Sequence, residues 1–204
     1  MMKALALLML IAGLGACGRQ EDGIVAVRLS TDRGDILIDL YTEKAPATAA
    51  NFLAHVDAGL YEGAAFYRTT RPDNDPMIEV VQAGLWDPKR EGAEGYDFKP
   101  PLPPIAHETT AMSGLAHGDG VVSMARVEPG SATSEFFISV GDNPELDFGG
   151  ARNPDGQGFA AFGRVRDGME VVHAIHQAGT ESGEGFEGQL LTAPVKILSA
   201  RREK

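Results

Sequence analysis

The chain has 204 residues, the length of one ordinary domain with a short extension. Hydrophobic residues make up 43% of it, which is enough for a full core and excludes a disordered protein. The formal net charge of −11 argues against nucleic acid or an anionic membrane surface as the partner of the folded part, because both are bound through Lys and Arg.

The first 16 residues have the pattern of an export signal. Lys3 precedes a short apolar run that ends in small residues, and the run is too short to span a bilayer. Residues 14–17 (LGAC) resemble the bacterial lipobox, in which a signal peptidase cuts before a cysteine that is then lipidated. Cys17 is the only cysteine of the chain and stands at that position. The alternative is a signal that is removed to leave a soluble exported protein.

We therefore expect a lipoprotein signal at residues 1–16, a lipidated tether at 17–23 and one folded domain at 24–202. Acyl chains on Cys17 would hold the protein to a membrane of the bacterial cell envelope, with the domain facing the periplasm. Lipoproteins retained in the inner membrane habitually carry Asp after the cysteine. Gly18 stands there instead, which favours the outer membrane.

Short apolar segments separated by turns predict eight strands. Residues 24–30 and 35–41 flank a Thr-Asp-Arg-Gly turn and predict a hairpin. Six further strands are predicted at residues 65–69, 78–82, 120–126, 135–140, 159–165 and 194–200.

Two helices are predicted between these strands. Pro46 suits the first turn of a helix that ends at Gly59, and residues 168–177 carry apolar side chains at helical spacing. Residues 85–119 are rich in Gly, Pro and charge and are predicted to form long loops. The whole pattern predicts a mainly β fold, a closed eight-stranded antiparallel β-barrel capped by two α-helices.

No pattern in the chain indicates a metal, a cofactor or a covalent nucleophile. The chain has neither a G-x-S-x-G elbow nor H-E-x-x-H or C-x-x-C spacing. Glu170 and His173 form one E-x-x-H pair, for which a solvated helix face is the simpler explanation. His55, His107 and His117 are expected to be surface or structural residues.

Several motifs, in order, resemble those of the cyclophilin-type peptidyl-prolyl cis/trans isomerases. Residues 31–52 resemble the opening hairpin and first helix of that family, and the resemblance runs over about residues 24–202. The motifs are FYR at 66–68, VVQAG at 80–84, VSMAR at 122–126, SEFFI at 134–138, LD at 146–147 and FAAFG at 159–163.

The resemblance implies an eight-stranded barrel with two capping helices and an active groove on its outer surface. It implies isomerisation of X–Pro peptide bonds, with proline-containing polypeptides as partners and no cofactor. Exported or envelope proteins are then the expected substrates. The sequence shows no oligomer interface, so a monomer is expected.

The resemblance also implies the catalytic residues. Arg68 matches the family's catalytic arginine, which hydrogen-bonds to the prolyl nitrogen as the bond twists. Phe137 matches the floor of the proline pocket, and Gln82 is the polar handle beside it.

Further residues are implied to bind substrate. The pocket walls are matched by Val80, Leu146 and Phe159. Ala125 and Arg126 match positions that bind peptide backbone through main-chain groups. The strand period places Val80 and Gln82 on one face, and Glu135 and Phe137 on one face, so that Glu135 is a second polar handle. Each apolar residue could instead be ordinary core.

Three acidic residues depart from the family pattern. Glu79 replaces the usual Phe, whose space Ile78 or Met77 could fill. Glu135 replaces the usual Gln and could pair with Arg126 or Arg68. Glu145 replaces the Trp of the family members that bind cyclosporin. These departures support an alternative function, a low-turnover prolyl-peptide binding or chaperone module at the envelope membrane.

Overall fold

The computed structural model describes residues 23–86, 99–183 and 185–203. This part of the chain contains nine strands, three α-helices and one 3-10 turn, Pro144–Leu146. The strands are β1 (Ile24–Thr31), β2 (Gly34–Tyr41), β3 (Ala65–Thr70), β4 (Val80–Gly84), β5 (Val121–Met124), β6 (Phe136–Ser139), β7 (Ala160–Asp167), β8 (Thr180–Gly183) and β9 (Phe186–Arg202). The helices are α1 (Pro46–Asp57), α2 (Thr110–Ser113) and α3 (Met169–His176).

Eight of the strands close into a barrel. The order around it is β1-β2-β7-β5-β6-β4-β3-β9, and β9 returns to pair with β1. Each of these pairings is antiparallel, which confirms the predicted closed eight-stranded antiparallel barrel. The strand β8 lies outside the ring and pairs with the first part of β9.

The core lies inside the barrel and beneath the helices. Ile36, Ile38 and Leu40 alternate along β2 and are fully buried, as a half-buried strand requires. The ring of Phe52 on α1 packs 5.2 Å from that of Phe162, measured between centroids. The two predicted helices therefore exist, and each contributes buried apolar residues to the core.

The structure corrects the predicted elements in four places, and one of them is β8, a strand that was not predicted. The short helix α2 lies in the segment 85–119, which was predicted to be loop throughout. The last strand is β9 with 17 residues, far longer than the predicted 194–200. The strand predicted at 78–82 begins only at Val80. It starts late because the Asn74 side chain bonds both main-chain groups of Ile78, accepting from its N–H (3.1 Å) and donating to its carbonyl (2.8 Å).

The signal, Cys17 and the tether up to residue 22 lie outside the described residues. Within the described ranges, no helix is both long and apolar enough to cross a membrane. Those same ranges hold no group of three His, Cys, Asp or Glu side chains suited to a metal ion.

The first turn of α1 is capped by a residue distant in sequence. Ala45 at the N-cap has no side-chain acceptor, so the first N–H groups of the helix need another partner. The carboxylate of Glu108 accepts hydrogen bonds from the N–H groups of Ala47 (3.1 Å) and Thr48 (2.8 Å), and from the Thr48 hydroxyl (2.6 Å). This contact fastens the loop before α2 to the helix.

We expect Glu108→Ala to lower the free energy of unfolding by about 1–2 kcal/mol, because the helix loses both its cap and a favourable charge. Urea denaturation followed by circular dichroism measures this. Glu128→Ala is the matched control, since Glu128 is exposed and far from any helix start, and it should change stability by less than about 0.5 kcal/mol. Equal effects of the two substitutions would contradict the capping role.

Candidate functional site

A cavity of about 450 Å³ opens on the outer surface of the barrel. It lies outside because Val80 and Gln82 of β4 line it, whereas Val81 and Ala83 between and after them belong to the core. The size is that of a small-ligand or peptide site. All nine predicted catalytic and substrate-binding residues line it: Arg68, Val80, Gln82, Ala125, Arg126, Glu135, Phe137, Leu146 and Phe159.

The three predicted catalytic residues stand in one row across the sheet. Arg68 of β3 pairs with Gln82 of β4, and Gln82 pairs with Phe137 of β6. Because neighbouring strands lie about 4.8 Å apart, this register places the backbones of Arg68 and Phe137 about 10 Å apart, with Gln82 between them.

One end of the cavity is apolar. Phe137 and Phe159 meet edge to face, with ring centroids 5.3 Å apart. Val80 and Leu146 complete a buried cluster with them, and Ile78 joins it with only 4% of its surface exposed. Met77 is 58% exposed, so Ile78 is the residue that fills the space of the family's missing Phe.

A buried histidine supports the floor of this pocket. The ring of His117 stacks on that of Phe137 at a centroid distance of 5.8 Å. Its Nδ1 lies 2.7 Å from Asp147 Oδ1 and its Nε2 lies 3.0 Å from Ser123 Oγ. His117 is therefore a structural residue, one of the two roles expected for it.

A β-bulge in β3 turns two consecutive side chains toward the cavity. The register between β3 and β4 shifts between Phe66 and Arg68, so that Tyr67 is the extra residue. Both Tyr67 and Arg68 line the cavity, while Phe66 is fully buried in the core. A regular strand would have sent Tyr67 and Arg68 to opposite faces.

The guanidinium of Arg68 is held from two sides. Its Nε and Nη2 both donate to Gln189 Oε1, at 2.9 and 2.6 Å. Its Nη1 donates to Gln82 Oε1 at 2.8 Å, and its Cζ lies 5.0 Å from the centroid of the Phe186 ring. These contacts fix the plane of the fork at the edge of the apolar pocket.

The hydrogen bonds continue from Gln82 to a carboxylate. Gln82 Nε2 donates to the Tyr67 hydroxyl at 2.6 Å, and this hydroxyl donates to Glu135 Oε2 at 2.7 Å. The other carboxylate oxygen accepts the backbone N–H groups of Leu85 (2.8 Å) and Trp86 (3.1 Å). Because an ionised carboxylate only accepts, Tyr67 must donate to it, and the amide of Gln82 must present its carbonyl to Arg68.

The carboxylate of Glu135 occupies a space that only glycine leaves open. A Cβ atom at residue 84 would overlap the Glu135 carboxylate, so Gly84 is required by this close approach. Burial raises the pKa of the Glu135 carboxyl, and the hydrogen bond from Tyr67 is the foremost contact that opposes the rise. Burial, together with the nearby Glu135, raises the pKa of Tyr67 well above its ordinary value.

Two expectations for the arginines and Glu135 are corrected. Glu135 takes its hydrogen bonds from Tyr67, Ser134 and two backbone amides, not from Arg126 or Arg68. Arg126 instead makes a bidentate pair with Asp155, at 2.7 and 2.8 Å, which lowers the pKa of Asp155 to about 2.

Ala125 and Arg126, which were expected to bind substrate, already make hydrogen bonds to other residues of the protein. The backbone N–H of Ala125 donates to the carbonyl of Glu135 at 2.8 Å. The Arg126 side chain also donates to the carbonyl of Gly158, and its guanidinium lies 5.3 Å from the Phe159 ring centroid. Arg126 therefore braces the pocket wall.

Three of the cavity residues that were missed in the sequence are Tyr67, Phe186 and Arg152, and Gln189 was missed as a partner of Arg68. Tyr67 lies within the FYR motif, but only the bulge turns it toward Arg68. Phe186 and Gln189 come from the unpredicted first half of β9, where a lone aromatic residue in a stretch of Gly and Glu was the available signal. Arg152 comes from the loop before β7.

The chain is similar to known isomerases over most of its length. The model of the cyclophilin type peptidyl-prolyl cis-trans isomerase family matches residues 26–202. A peptidyl-prolyl cis-trans isomerase of Streptomyces antibioticus is 39% identical over 176 residues, which cover 86% of this chain and 96% of that protein. Peptidyl-prolyl cis-trans isomerase B of Escherichia coli is 38% identical over 155 residues, covering 76% of this chain and 85% of its own.

Solved structures agree on the fold. A cyclophilin type peptidyl-prolyl cis-trans isomerase of Cryptosporidium parvum, crystallised in the presence of the dipeptide Ala-Pro, superimposes with a TM-score of 0.66. The two sequences are 20% identical, and the match covers 88% of this chain and 99% of the other. With the family match and the bacterial relatives, the closed barrel and its outer groove show that this chain belongs to the cyclophilin-type peptidyl-prolyl cis-trans isomerase family.

Proposed function

We propose that this isomerase acts on X–Pro bonds of exported and envelope proteins, and that Arg68 is its catalytic group. The observation that supports this most directly is the row Arg68, Gln82 and Phe137, which joins a fixed cation to an apolar pocket. The Ala-Pro dipeptide of the Cryptosporidium parvum structure indicates a proline-containing peptide as the occupant of such a groove.

The physical task is rotation about a partial double bond. The barrier is about 18–20 kcal/mol, and an uncatalysed X–Pro bond takes tens of seconds or longer to isomerise. Rotation needs no covalent intermediate. The enzyme has only to bind the twisted state more tightly than either planar state.

The groove supplies the two contacts that this requires. The proline ring would rest against Phe137 and Phe159, where its apolar surface leaves water. As the bond twists, amide resonance is lost and the prolyl nitrogen gains a lone pair, to which the Arg68 guanidinium donates. The planar nitrogen offers no such lone pair, so the hydrogen bond favours the twisted state.

Preorganisation makes this hydrogen bond effective. Gln189 and Gln82 hold the guanidinium before substrate binds, at 2.6 to 2.9 Å. Little reorganisation is then needed when the bond twists. The pocket side chains Phe137, Val80 and Leu146 are all apolar, so the proline ring of the substrate displaces no hydrogen bonds from them.

We expect Arg68→Ala to lower kcat/KM for a short Ala-Pro peptide by about 10²–10³, because the group that distinguishes the twisted state is gone. Exchange NMR on the cis and trans peptide signals measures the rate directly. Arg164→Ala is the matched control, because Arg164 is exposed on β7 and does not line the groove. If Arg68→Ala and wild type both turned over the peptide at the uncatalysed rate, the prolyl-peptide binding module would be the better description.

We expect Glu135→Gln to lower kcat/KM by about threefold to tenfold, the worth of one misdirected hydrogen bond. The backbone N–H groups of Leu85 and Trp86 would donate to the side-chain carbonyl of the new glutamine, so the NH₂ of that glutamine would face Tyr67. The Tyr67 hydroxyl then loses its acceptor. Where it donates to Gln82 instead, the Gln82 amide turns its NH₂ toward the donor-only Arg68. Exchange NMR at pH 7.5 measures the loss.

The same reversal gives a pH dependence. Because burial raises the pKa of Glu135, wild-type kcat/KM should fall toward that of Glu135→Gln as the pH drops through the raised value, whereas the variant stays level. Glu79→Gln is the control, since Glu79 meets His176 outside the groove at 3.4 Å. Parallel pH profiles for wild type and Glu135→Gln would contradict the role of Glu135.

The location at the envelope is a further part of the proposal. It is supported by the export-signal pattern of residues 1–16 and by the LGAC segment with the single cysteine. A domain tethered by acyl chains on Cys17 would act at the membrane surface on the periplasmic side, with the outer membrane favoured by Gly18.

We expect Cys17→Ser to abolish lipidation and to release the protein from the membrane fraction, because the acyl chains are the anchor. Detergent phase partition and the intact mass of the wild-type protein measure this. The folded domain should keep its isomerase activity, which confirms that the variant is correctly made. A Cys17→Ser protein that is exported and stays equally bound to the membrane would disprove the anchor.

A further inference from the structure

The loop between the 3-10 turn and β7 places two polar side chains in the wall of the groove. Arg152 and Asn153 line the same cavity as Phe137 and Arg68. They stand beside Leu146 and Phe159, two walls of the apolar pocket, at the ends of this loop. The proposed catalytic steps use neither of them.

The acidic residues of this loop are committed elsewhere. Glu145 Oε2 accepts a hydrogen bond from the backbone N–H of Ala151 at 2.8 Å. Asp147 pairs with His117, and Asp155 pairs with Arg126. The carboxylates closest to Arg152 in sequence are therefore all turned to other groups.

As a result, the half-buried Arg152 and the residue after it both have side-chain donors without a protein partner in the described part of the chain. Among the described residues, Arg152 has no carboxylate within 4.0 Å of its guanidinium, and burial lowers the pKa of Arg152. Asn153 Nδ2 is buried and has no hydrogen-bond partner in the described part of the chain. Leaving the buried Asn153 donor unpaired costs free energy, and an acceptor supplied by a ligand would recover it. The Arg152 guanidinium is open to solvent and can pair with the same acceptor.

The loop is held firmly enough to serve as a site. The N–H of Arg152 donates to the carbonyl of Glu145 at 3.1 Å, and Gly149 donates to Gly156 across the loop at 2.8 Å. Phe159 closes the loop by donating to Leu146 at 2.9 Å. The backbone that carries the two side chains is thus fixed before a ligand arrives.

The charge of the groove also differs from that of the chain. The chain carries −11, yet the cavity is lined by Arg68, Arg126 and Arg152 and by one carboxylate, the buried Glu135. Asp155 neutralises Arg126, but the two remaining cations outnumber the one carboxylate, so this groove in an otherwise acidic protein attracts anionic groups.

We infer that Arg152 and Asn153 form a carboxylate subsite beside the proline pocket, so that the isomerase prefers prolyl peptides with a carboxylate near the proline. This rests on the proposed function of the groove. The carboxylate comes from an Asp or Glu side chain flanking the proline or from a chain terminus close behind it. The guanidinium and the amide NH₂ can donate hydrogen bonds but cannot accept them. An ionised carboxylate can only accept them, so it matches these two groups.

Paired peptides test the subsite. Each peptide has blocked ends and one proline. The two members of a pair differ only in having Glu or Gln at one position, and the pairs cover the two positions before and the two positions after the proline. One further pair ends directly after the proline, either as the free acid or as the amide. Exchange NMR gives kcat/KM for each. We expect one Glu peptide, or the free acid, to exceed its neutral twin by about fivefold to tenfold, which is typical of a hydrogen bond to a charged group. Which pair responds identifies the source of the carboxylate.

Variants assign the preference to the two residues. Arg152→Gln should reduce the acid-to-neutral ratio to about one, and Asn153→Leu should reduce it in part, since its size is kept and its donors are lost. Arg164→Gln removes the same charge outside the groove and should leave the ratio unchanged. Raising the salt concentration should lower the wild-type ratio.

The outcome is separable from that of the proposed catalysis. If wild type turned over no peptide, the ratio of Kd values from NMR titration of the same peptide pairs would test the subsite alone. Ratios near one for every pair with wild type, or a ratio that survives Arg152→Gln, would overturn the inference. Circular dichroism of each variant shows that a lost ratio does not come from a lost fold.

Discussion

The polar half of the groove depends on a carboxylate that can only accept hydrogen bonds. Two backbone N–H groups hold one oxygen of Glu135, so the other oxygen must be served by Tyr67. This constraint and the donor-only guanidinium of Arg68 at the other end agree on the direction of each bond between them, through the hydroxyl and the amide of Gln82. The guanidinium of Arg68 is thereby linked to Glu135 through two side chains, Tyr67 and Gln82. A network of neutral groups would leave the direction open, because hydroxyls and amides can reverse together.

This arrangement opposes stability at neutral pH. A raised pKa means that folding favours the protonated form of Glu135. The stability linked to this group is therefore fully present below the ordinary carboxyl pKa and is lost as the pH rises through the raised value. At neutral pH the fold keeps a buried charge that it would be more stable without. Gly84 makes the charge possible by leaving room for it, and the direction of the hydrogen bonds is what the protein gains. Such a conflict between local stability and geometry is characteristic of functional sites.

The sequence predicted those features that follow from strand period and short motifs. The hairpin and the barrel strands depend on alternation, which a sequence displays directly, whereas Arg68, Gln82 and Phe137 were named through the resemblance of short motifs. The misses have other causes. Tyr67 turns toward Arg68 because of a bulge, and nothing in FYR states which residue is the extra one. Gln189 meets Arg68 across 121 positions, and its strand is broken by Gly, Thr and Pro, which hide the period. The late start of β4 depends on one Asn side chain that replaces ladder bonds.

The barrel separates the parts of the groove that must be rigid from those that can vary. Its interior is filled by side chains, so a ligand has to bind outside, on a face whose positions are set by register. The cation and the ring floor lie on β3 and β6, the two neighbours of β4, where a shift would break the ladder. Arg152 and Asn153 lie instead on a loop joined to the barrel at Leu146 and Phe159, and loops accept changes in length and composition that strands do not. Selection among prolyl peptides can therefore change with the loop while the chemistry of bond rotation, held by the strands, stays the same.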